Sequence, residues 1–352
     1  MRRGGGRGTV KDSVLYFVIP CYNEEAVLPE TAKRLYNKCD HLIRAGKISD
    51  KSRILFVDDG SRDATWTIIE KLHDFKPVFS GLKLSHNRGH QNALLAGLMY
   101  AKDYCDISIS MDADLQDDIE AVDEMIAKYE GGCDIVYGVR NNRDTDTWFK
   151  RTTALRYYKL MERLGVELVY DSADYRLMSR KALLALSEFR EVNLFLRGLV
   201  PMIGMKSDKV YYKRGERFAG ESKYPLKKML SFSMEGITSF SVKPIQMITN
   251  LGVLIFLVNI VFLILGIVQK VHGTAVPGWP SVIVSIWAIG GLILIAIGVI
   301  GEYIGKIYLE TKGRPRFILD RVLNDGPKKE EDPVSVQDLI DRINEETSRV
   351  SR

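Results

Sequence analysis

Three oxygen-bearing side chains occupy alternate positions near the middle of the chain. They are Asp112, Asp114 and Gln116, in the segment SMDADLQDD, and they follow the mainly apolar stretch YCDISI. Alternate residues of an extended chain share a face, so the three side chains can point to one place. Two carboxylates and a carboxamide suit a hard divalent cation such as Mg²⁺ or Mn²⁺, which would also relieve the repulsion between the acids. The spacing therefore predicts a metal site at the end of a strand.

Two other interpretations compete for the same segment. A calcium-binding EF-hand loop requires glycine where Asp117 stands and glutamate where Asp123 stands, so the sequence excludes it. The acids of DADLQDDIEAVDEM also suit a helix N-terminus, because the helix dipole favours negative charge there. We expect Asp117 and Asp118 to serve that helix start. The spacing of the histidines indicates no further metal ligands: His73, His86 and His90.

The sequence around the acids alternates between strand and helix patterns from residue 14 to about 211. Stretches rich in β-branched and aromatic residues predict five strands: VLYFVIP, RILFVDD, LKLS, DISISMD and DIVYGVR. Helix-like stretches such as ATWTIIEKLHDF lie between them. This alternation indicates an α/β domain with a mainly parallel sheet. Ligands of such sheets bind at the carboxyl ends of the strands, where PCYNE, DDGS and DADLQ all fall.

Two long apolar segments follow the α/β domain. Residues 245–268 and 282–301 carry no charge, and about 20 apolar residues can cross a hydrocarbon core of about 30 Å. The alternative is a pair of buried helices in a soluble protein, but such helices rarely run so long without a charge. Lysines and arginines flank the pair on both outer sides, whereas Lys270 is the one lysine or arginine of the connecting loop. The positive-inside rule therefore predicts that both termini are cytoplasmic.

Composition narrows the function classes. The chain has 352 residues, 46% of them hydrophobic, and a net charge of +5 without a dominant basic stripe, so nucleic-acid binding is not indicated. The four cysteines form no CxxC pair and indicate reduced thiols rather than a zinc site. The basic, glycine-rich start MRRGGGRGTVKDS has no apolar run, so we expect a disordered leader rather than a signal peptide.

Four motifs occur in order at the predicted strand ends: VIPCYNEEAVL, VDDGSRDATW, MDADLQDD and GVR. Together they resemble the family-2 glycosyltransferases, which bind nucleotide sugars with the GT-A fold. The most similar branch transfers sugars to polyprenyl phosphates and contains dolichyl-phosphate mannose synthase and the bacterial undecaprenyl-phosphate (bactoprenol) glucosyltransferases. FLRGLVPMIG, GESKY and the two apolar segments extend the resemblance over residues 14–317.

The resemblance implies a donor site at the matching positions. Its predicted donor-binding residues are Pro20, Tyr22, Glu24, Asp58, Asp59, Asp112 and Ala113. The metal and the diphosphate would be held by Asp112, Asp114 and Gln116. The predicted catalytic residues are Asp114, Asp174 and Arg140. Asp174 either orients a sugar hydroxyl, acts as a base or forms a structural salt bridge with Arg176.

The acceptor side follows from the chemistry of a lipid phosphate. This group is already an anion near neutral pH, so it can attack the sugar without losing a proton, and it needs cations that hold it beside the negative donor. The predicted acceptor-phosphate residues are Arg151, Arg217 and Lys223. In the dolichyl branch that the chain resembles, a second arginine is common at the position of Ala219, so the cations of this chain can be placed differently. The alternative is a basic surface attracted to anionic lipid, which fits Lys150, Lys227 and Lys228.

These expectations give five regions. They are a leader (1–13), a cytoplasmic GT-A catalytic domain (14–222), an amphipathic interfacial helix (223–243), two transmembrane helices with a short outside loop (244–304) and a cytoplasmic tail (305–352). The expected function is inverting transfer of a hexose, glucose from UDP-glucose, to undecaprenyl or another polyprenyl phosphate for cell-envelope glycosylation. Rival hypotheses are a processive polysaccharide synthase, whose QxxRW motif the chain lacks, and a non-catalytic membrane adaptor. The sugar, the base and the oligomeric state, including a homo-oligomer, remain open.

Overall fold

The computed structural model describes residues 13–141, 172–192, 194–213, 215, 243–272 and 278–325. Over these residues the chain forms one eight-stranded mixed sheet with helices on both faces, and two long helices. The sheet and the long helices correspond to the α/β domain and the apolar segments that the sequence predicts.

The sheet has the strand order β7-β5-β6-β4-β1-β2-β3-β8. Strands β1, β2, β3 and β4 are parallel to one another, so their carboxyl ends meet at one edge. Antiparallel pairing joins β6 to β4 and β5, and joins β8 to β3. The strand bounds are β1 Leu15–Cys21, β2 Arg53–Asp58, β3 Phe79–Leu84, β4 Ile107–Ser110, β5 Ile135–Arg140, β6 Ser172–Ser179, β7 Ser207–Tyr212 and β8 Leu319–Leu323.

Helices of two kinds accompany the sheet. Six of 7 to 17 residues cover it, and two of 29 and 34 residues carry the apolar segments. Their bounds are α1 Leu28–Arg44, α2 Thr65–Phe75, α3 His90–Ala101, α4 Ala121–Glu130, α5 Arg180–Ser187, α6 Leu196–Met202, α7 Lys243–Val271 and α8 Trp279–Lys312.

Two hydrophobic cores lie on opposite faces of the sheet. Phe17 and Ile19 of β1 belong to the core beneath α1, α2 and α4. Tyr16 and Val18 belong to the other core, beneath α3, α5 and α6. A strand that is buried on both faces needs apolar residues at nearly every position, which explains the continuous run LYFVIPC. The four cysteines are buried free thiols, as expected.

The C-terminal region departs from the tail expected for residues 305–352. Helix α8 continues to Lys312, and β8 then joins the sheet beside β3. Asn324 follows directly and hydrogen-bonds with the Tyr16, Tyr100 and Ser80 hydroxyls. The segment up to residue 325 is therefore part of the α/β domain in space, although it follows both long helices in sequence.

The two predicted membrane spans lie in separate helices. Residues 245–268 fall within α7 and residues 282–301 within α8, and both helices expose large apolar side chains such as Leu254 and Leu294. Within the described ranges, one segment, Ile289–Lys312, is long and apolar enough by composition to cross a membrane. The pair of spans therefore stays a prediction. The predicted interfacial helix lies outside the described residues, apart from Lys243.

Candidate active site

The loops that follow β1 and β2 interlock at the carboxyl edge of the sheet. Asn23 has a left-handed φ of 54°; its N–H donates to Ser61 Oγ at 3.0 Å, and its Oδ1 accepts from the Arg62 N–H at 2.9 Å. The Glu24 N–H donates to Thr65 Oγ1 at 2.9 Å. These bonds hold the predicted donor-binding segment of the first loop against DDGS. Tyr22 is exposed at the rim of this edge.

Pro20, Asp58 and Asp59 are buried, and the two acids have different environments. Asp59 accepts the N–H groups of Arg88 and Gly89 at 2.7 and 2.9 Å, which positions the start of α3. Asp58 Oδ1 accepts the Ser61 N–H at 3.1 Å, whereas its buried Oδ2 has no hydrogen bond. Burial raises the pKa of both carboxyls. Contacts of these residues with a nucleoside remain a prediction.

The acidic segment forms a turn and not the extended chain on which the metal prediction was based. Strand β4 ends at Ser110, and Leu115 has a left-handed φ of 58°. Asp114 Oδ1 accepts the Gln116 N–H at 3.2 Å, and Gln116 donates through Nε2 to the Gly215 carbonyl at 3.4 Å. Such a backbone conformation is unfavourable for leucine and is characteristic of binding sites and turns that the surrounding structure enforces.

The first residues of this turn contact neighbouring helices. The buried Ala113 accepts the Thr31 hydroxyl of α1 through its carbonyl at 2.8 Å. Asp112 Oδ1 lies 3.5 Å from His90 Nε2 at the start of α3. In the part of the chain that the structure describes, no group of three or more histidine, cysteine, aspartate or glutamate side chains is arranged to hold a metal ion. The metal role of Asp112, Asp114 and Gln116 remains a prediction.

Asp117 does not start a helix, contrary to expectation, because α4 begins only at Ala121. Its buried carboxylate accepts the Tyr212 hydroxyl at 2.5 Å and the Asp112 N–H at 3.4 Å, and it lies 3.8 Å from the Arg140 guanidinium. Burial and the charge of Asp112 raise the pKa of Asp117 to about 6. Asp117 thus ties the acidic turn to the ends of β5 and β7 and brings Arg140 to the site.

The carboxylate of Asp174 in β6 is buried and contacts three basic side chains. Its oxygens lie 2.7 Å from Arg176 Nη2, 3.2 Å from Arg197 Nη2 and 3.4 Å from His90 Nε2. Burial opposes ionisation of Asp174, but Arg197, His90 and Arg176 outweigh it and hold the pKa of Asp174 well below its usual range. The salt bridge with Arg176, one of the expected alternatives, is present. A carboxylate with so low a pKa is a weak base.

His90 bridges Asp174 and the acidic turn. Although burial opposes protonation, the hydrogen bond to Asp174 and the charge of Asp112 raise the pKa of His90 to about 9. Neither His90 nor Arg197 is among the predicted site residues, although the segments HNRGHQ and FLRG drew attention to both positions. No sequence motif indicated a role for Tyr212. The predicted acceptor residues lie outside the described ranges: Arg151, Arg217 and Lys223.

Comparison with known proteins gives the family. Residues 16–186 match glycosyl transferase family 2. The chain is 54% identical to the Bacillus subtilis glycosyltransferase YkoT, over 87% of this chain and 91% of that protein. It is 39% identical to a prophage bactoprenol glucosyl transferase homolog of Escherichia coli, over 87% of this chain and 98% of that protein. The SfII prophage-derived bactoprenol glucosyl transferase of Shigella flexneri is 37% identical, over 88% of this chain and 98% of its own length. With its mixed α/β sheet and its acidic turn at the carboxyl edge, the chain belongs to glycosyl transferase family 2 and is a glycosyltransferase.

Proposed function

We propose that this glycosyltransferase moves glucose from UDP-glucose to a polyprenyl phosphate, such as undecaprenyl phosphate, at the cytoplasmic face of a membrane. The observation that carries the proposal is the attachment of two long, exposed apolar helices to a glycosyltransferase sheet through the strand that follows them. Helices of this kind would anchor the sheet at a bilayer, where a lipid acceptor is found. The relatives named as bactoprenol glucosyl transferases are similar over nearly their whole length, including this helical region.

The pairing of β8 with β3 supports an even number of membrane crossings. The two strands are hydrogen-bonded neighbours, so they must lie on the same side of a bilayer. A single crossing between residue 84 and residue 319 would place them on opposite sides. Two crossings, one through α7 and one through α8, bring the chain back to the sheet and agree with the positive charge that flanks both helices.

The donor set at the acidic turn suits Mg²⁺ or Mn²⁺. Asp112, Asp114 and Gln116 offer oxygen ligands, which these hard cations prefer, and the strained φ of Leu115 indicates a turn that serves a ligand. Such an ion, when bound, would offset the charge of the departing nucleoside diphosphate. The buried, unbonded Oδ2 of Asp58 is an acceptor that an N–H group of the nucleotide base could satisfy.

In this mechanism the remaining residues stabilise charge and position the reactants, and none of them transfers a proton. The acceptor phosphate oxygen attacks C1 of the sugar on the face opposite to the diphosphate, which leaves with its bonding electrons. The acceptor oxygen is ionised beforehand, so the step requires no base, and the low pKa of Asp174 agrees with that. Arg140 lies beside the acidic turn through its contact with Asp117, where its charge would stabilise the phosphates.

The test is an assay of the full chain in lipid bilayers with undecaprenyl phosphate, Mg²⁺ or Mn²⁺ and a panel of UDP- and GDP-sugars. We expect one glucose per lipid from UDP-glucose, and loss of transfer when the divalent ions are chelated. Asp114→Asn should lower kcat/KM by about a hundredfold or more, the scale of losing one electrostatic contact to developing charge.

Asp118→Asn is the matched control for Asp114→Asn. Asp118 lies in the same loop, and its Oδ1 accepts the Glu120 N–H, a bond that an asparagine keeps. Its activity should stay within about twofold of the wild type, because Asp118 is partly exposed and its substitution keeps this hydrogen bond. Growth of a multi-sugar chain on the lipid would favour a processive synthase, and absence of a lipid product from every sugar would overturn the proposal.

A further inference from the structure

Asp174 is the centre of a cluster whose members differ in exposure. Arg176 is almost fully buried and also donates to the Leu196 carbonyl at 3.3 Å. Arg197 and His90 lie on the outer side of the carboxylate, and their side chains are 40% and 39% exposed. Arg197 approaches Asp174 with both Nε and Nη2, at 3.4 and 3.2 Å, so the plane of its guanidinium is held by two contacts.

The arginines around Asp174 outnumber the one carboxylate that they share. Arg176 and Arg197 both contact Asp174, and Arg197 is the more exposed of the two. The surplus charge therefore lies on the outer side of the carboxylate, at Arg197. A planar guanidinium in this position offers the geometry that phosphate oxygens prefer.

The cluster also lies between the acidic turn and the end of the long helix α8. On one side, His90 touches both Asp112 and Asp174 through the same nitrogen, so the two carboxylates are neighbours. On the other side, the segment just before Arg197 is bonded to the C-terminal part of α8 and the residues after it. Glu310 accepts the Val192 N–H at 2.8 Å.

A second bond fixes the same segment. Arg316 donates to the Phe189 carbonyl at 2.5 Å, so residues 189–192 are held at two points by the chain that leaves α8. Arg197 follows five residues after Val192, and the Leu196 N–H is bonded to Gln91 Oε1 at 3.0 Å beside His90. Arg197 therefore bridges the edge of the donor site and the end of the candidate membrane helix.

We propose that Arg197 binds the phosphate group of the lipid acceptor and that Asp174 is a positioning residue that holds Arg197 in place. The proposal rests on the proposed function, since it names a residue for the acceptor of that reaction. Asp174 acts through Arg197 and takes no proton. The two contacts to Asp174 keep the guanidinium from folding back toward solvent, so the phosphate meets a prearranged cation next to the sugar donor.

The first experiment compares Arg197→Gln and Arg197→Lys with Arg190→Gln, a control that removes an exposed arginine seven positions earlier. The KM for undecaprenyl phosphate should rise about tenfold to hundredfold in Arg197→Gln, the scale of one charge-assisted hydrogen bond. Arg197→Lys should recover part of the loss, because a point charge cannot make two parallel bonds. UDP binding should change far less than the acceptor KM in the Arg197 variants, and Arg190→Gln should keep the wild-type activity.

Two further measurements distinguish the phosphate of the acceptor from the phosphate of membrane lipids. A short, water-soluble prenyl phosphate should lose the same factor as the long-chain acceptor, since both carry the same group. Binding of the protein to phosphatidylglycerol vesicles should not change. If vesicle binding falls and the KM for the soluble acceptor stays constant, Arg197 belongs to a basic membrane surface and the proposal is wrong. An unchanged acceptor KM in Arg197→Gln also overturns it.

The role of Asp174 is tested with Asp174→Asn and the double variant Asp174→Asn/Arg197→Gln. If Asp174 acts through Arg197, the double variant has the same acceptor KM as Arg197→Gln alone. If Asp174 is a base, the effects multiply, kcat falls and the acid limb of the pH–rate profile is lost. Asp174→Asn leaves Arg176 buried without its carboxylate, so thermal unfolding is measured first; if this variant does not fold, the Arg197 series alone decides.

The design separates this proposal from the proposed function. Failure of the proposed function means that the wild-type chain transfers no sugar to any polyprenyl phosphate. Failure of the present proposal means that the wild type does so and Arg197→Gln does so with the same acceptor KM.

Discussion

Tyr212→Phe is the most informative single substitution at this site, because it removes one hydroxyl and leaves the ring. The Tyr212 hydroxyl donates to the buried Asp117 at 2.5 Å and accepts from Arg140 Nε at 3.3 Å. The ring packs edge-on against Tyr175 with the centroids 5.2 Å apart, and phenylalanine can keep that contact. The perturbation is therefore confined to hydrogen bonding around one buried carboxylate.

The expected magnitude follows from the burial of Asp117, which is 3% exposed. Water cannot easily replace the lost donor, and a hydrogen bond to a charged group contributes about 1.5–3 kcal/mol. We expect the free energy of unfolding to fall by about that amount. Asp117 also accepts the N–H of Asp112, a proposed metal ligand, and weakening the contacts that hold a metal ligand typically lowers metal affinity about tenfold to hundredfold. The concentration of Mn²⁺ that gives half-maximal activity should rise accordingly.

Tyr211→Phe is the matched control. It is the same substitution one position earlier, on a side chain that is 62% exposed, and it should change the unfolding free energy by less than about 0.5 kcal/mol. The assay is urea unfolding of the metal-stripped full chain, followed by tryptophan fluorescence, since Trp66 lies in the core. Identical unfolding midpoints for the two variants would refute the assignment of Tyr212 as a structural donor to Asp117.

Two other predictions concern the space around two glycines and the stability of the fold at low pH. Gly60 and Gly89 both have a positive φ, but an added Cβ at Gly60 would lie 2.7 Å from Asn87 N, whereas the space at Gly89 is open. Gly60→Ala should therefore destabilise the chain more than Gly89→Ala, which adds no steric clash but carries the backbone strain of a φ of 86° and a ψ of 154°, about 1–3 kcal/mol; equal melting temperatures would contradict this. The folded pKa of Asp174 is depressed, so its stabilisation is present above its unfolded pKa of about 3.9 and is lost as the pH falls below it. Between pH 5 and pH 3, the wild type should lose stability more steeply than Asp174→Asn in urea titrations, and parallel curves would disprove the depressed pKa.

The parallel strands could be predicted from the sequence because their burial requires a continuous run of apolar residues. Strands β1 and β2 are buried almost throughout, so their sequences LYFVIPC and RILFVD are nearly continuous apolar runs. Strand β6 shows no such run, since SADYRLMS carries Asp174 and Arg176 in a buried strand. Their charges are tolerated because His90 and Arg197, far away in sequence, complete the cluster. The hydrophobic pattern of the strand alone cannot reveal that residues distant in sequence form ion pairs with its charged side chains.

The site was predicted where a motif has a fixed spacing and missed where the geometry joins distant residues. DDGS and DADLQ led to the carboxyl edge of the sheet, and the structure brings both to it. The helix-start role of Asp117 was wrong, because its partner Tyr212 lies 95 residues away and gives it a buried environment. The extended conformation of the acidic turn was wrong because of the left-handed backbone at Leu115, which the residue type opposes.

The late position of β8 in the sequence affects how the sheet can form during synthesis. Ribosomes add about 5–20 residues per second, so β8 is synthesised tens of seconds after β3, its neighbour in the sheet. During that interval β3 is an open edge whose unpaired backbone groups can pair with another chain. Both long helices are synthesised before β8, so the sheet can be completed only after both of them have been made. A nascent chain that stops before β8 would keep an exposed edge, so synthesis of both long helices is a condition for a complete sheet.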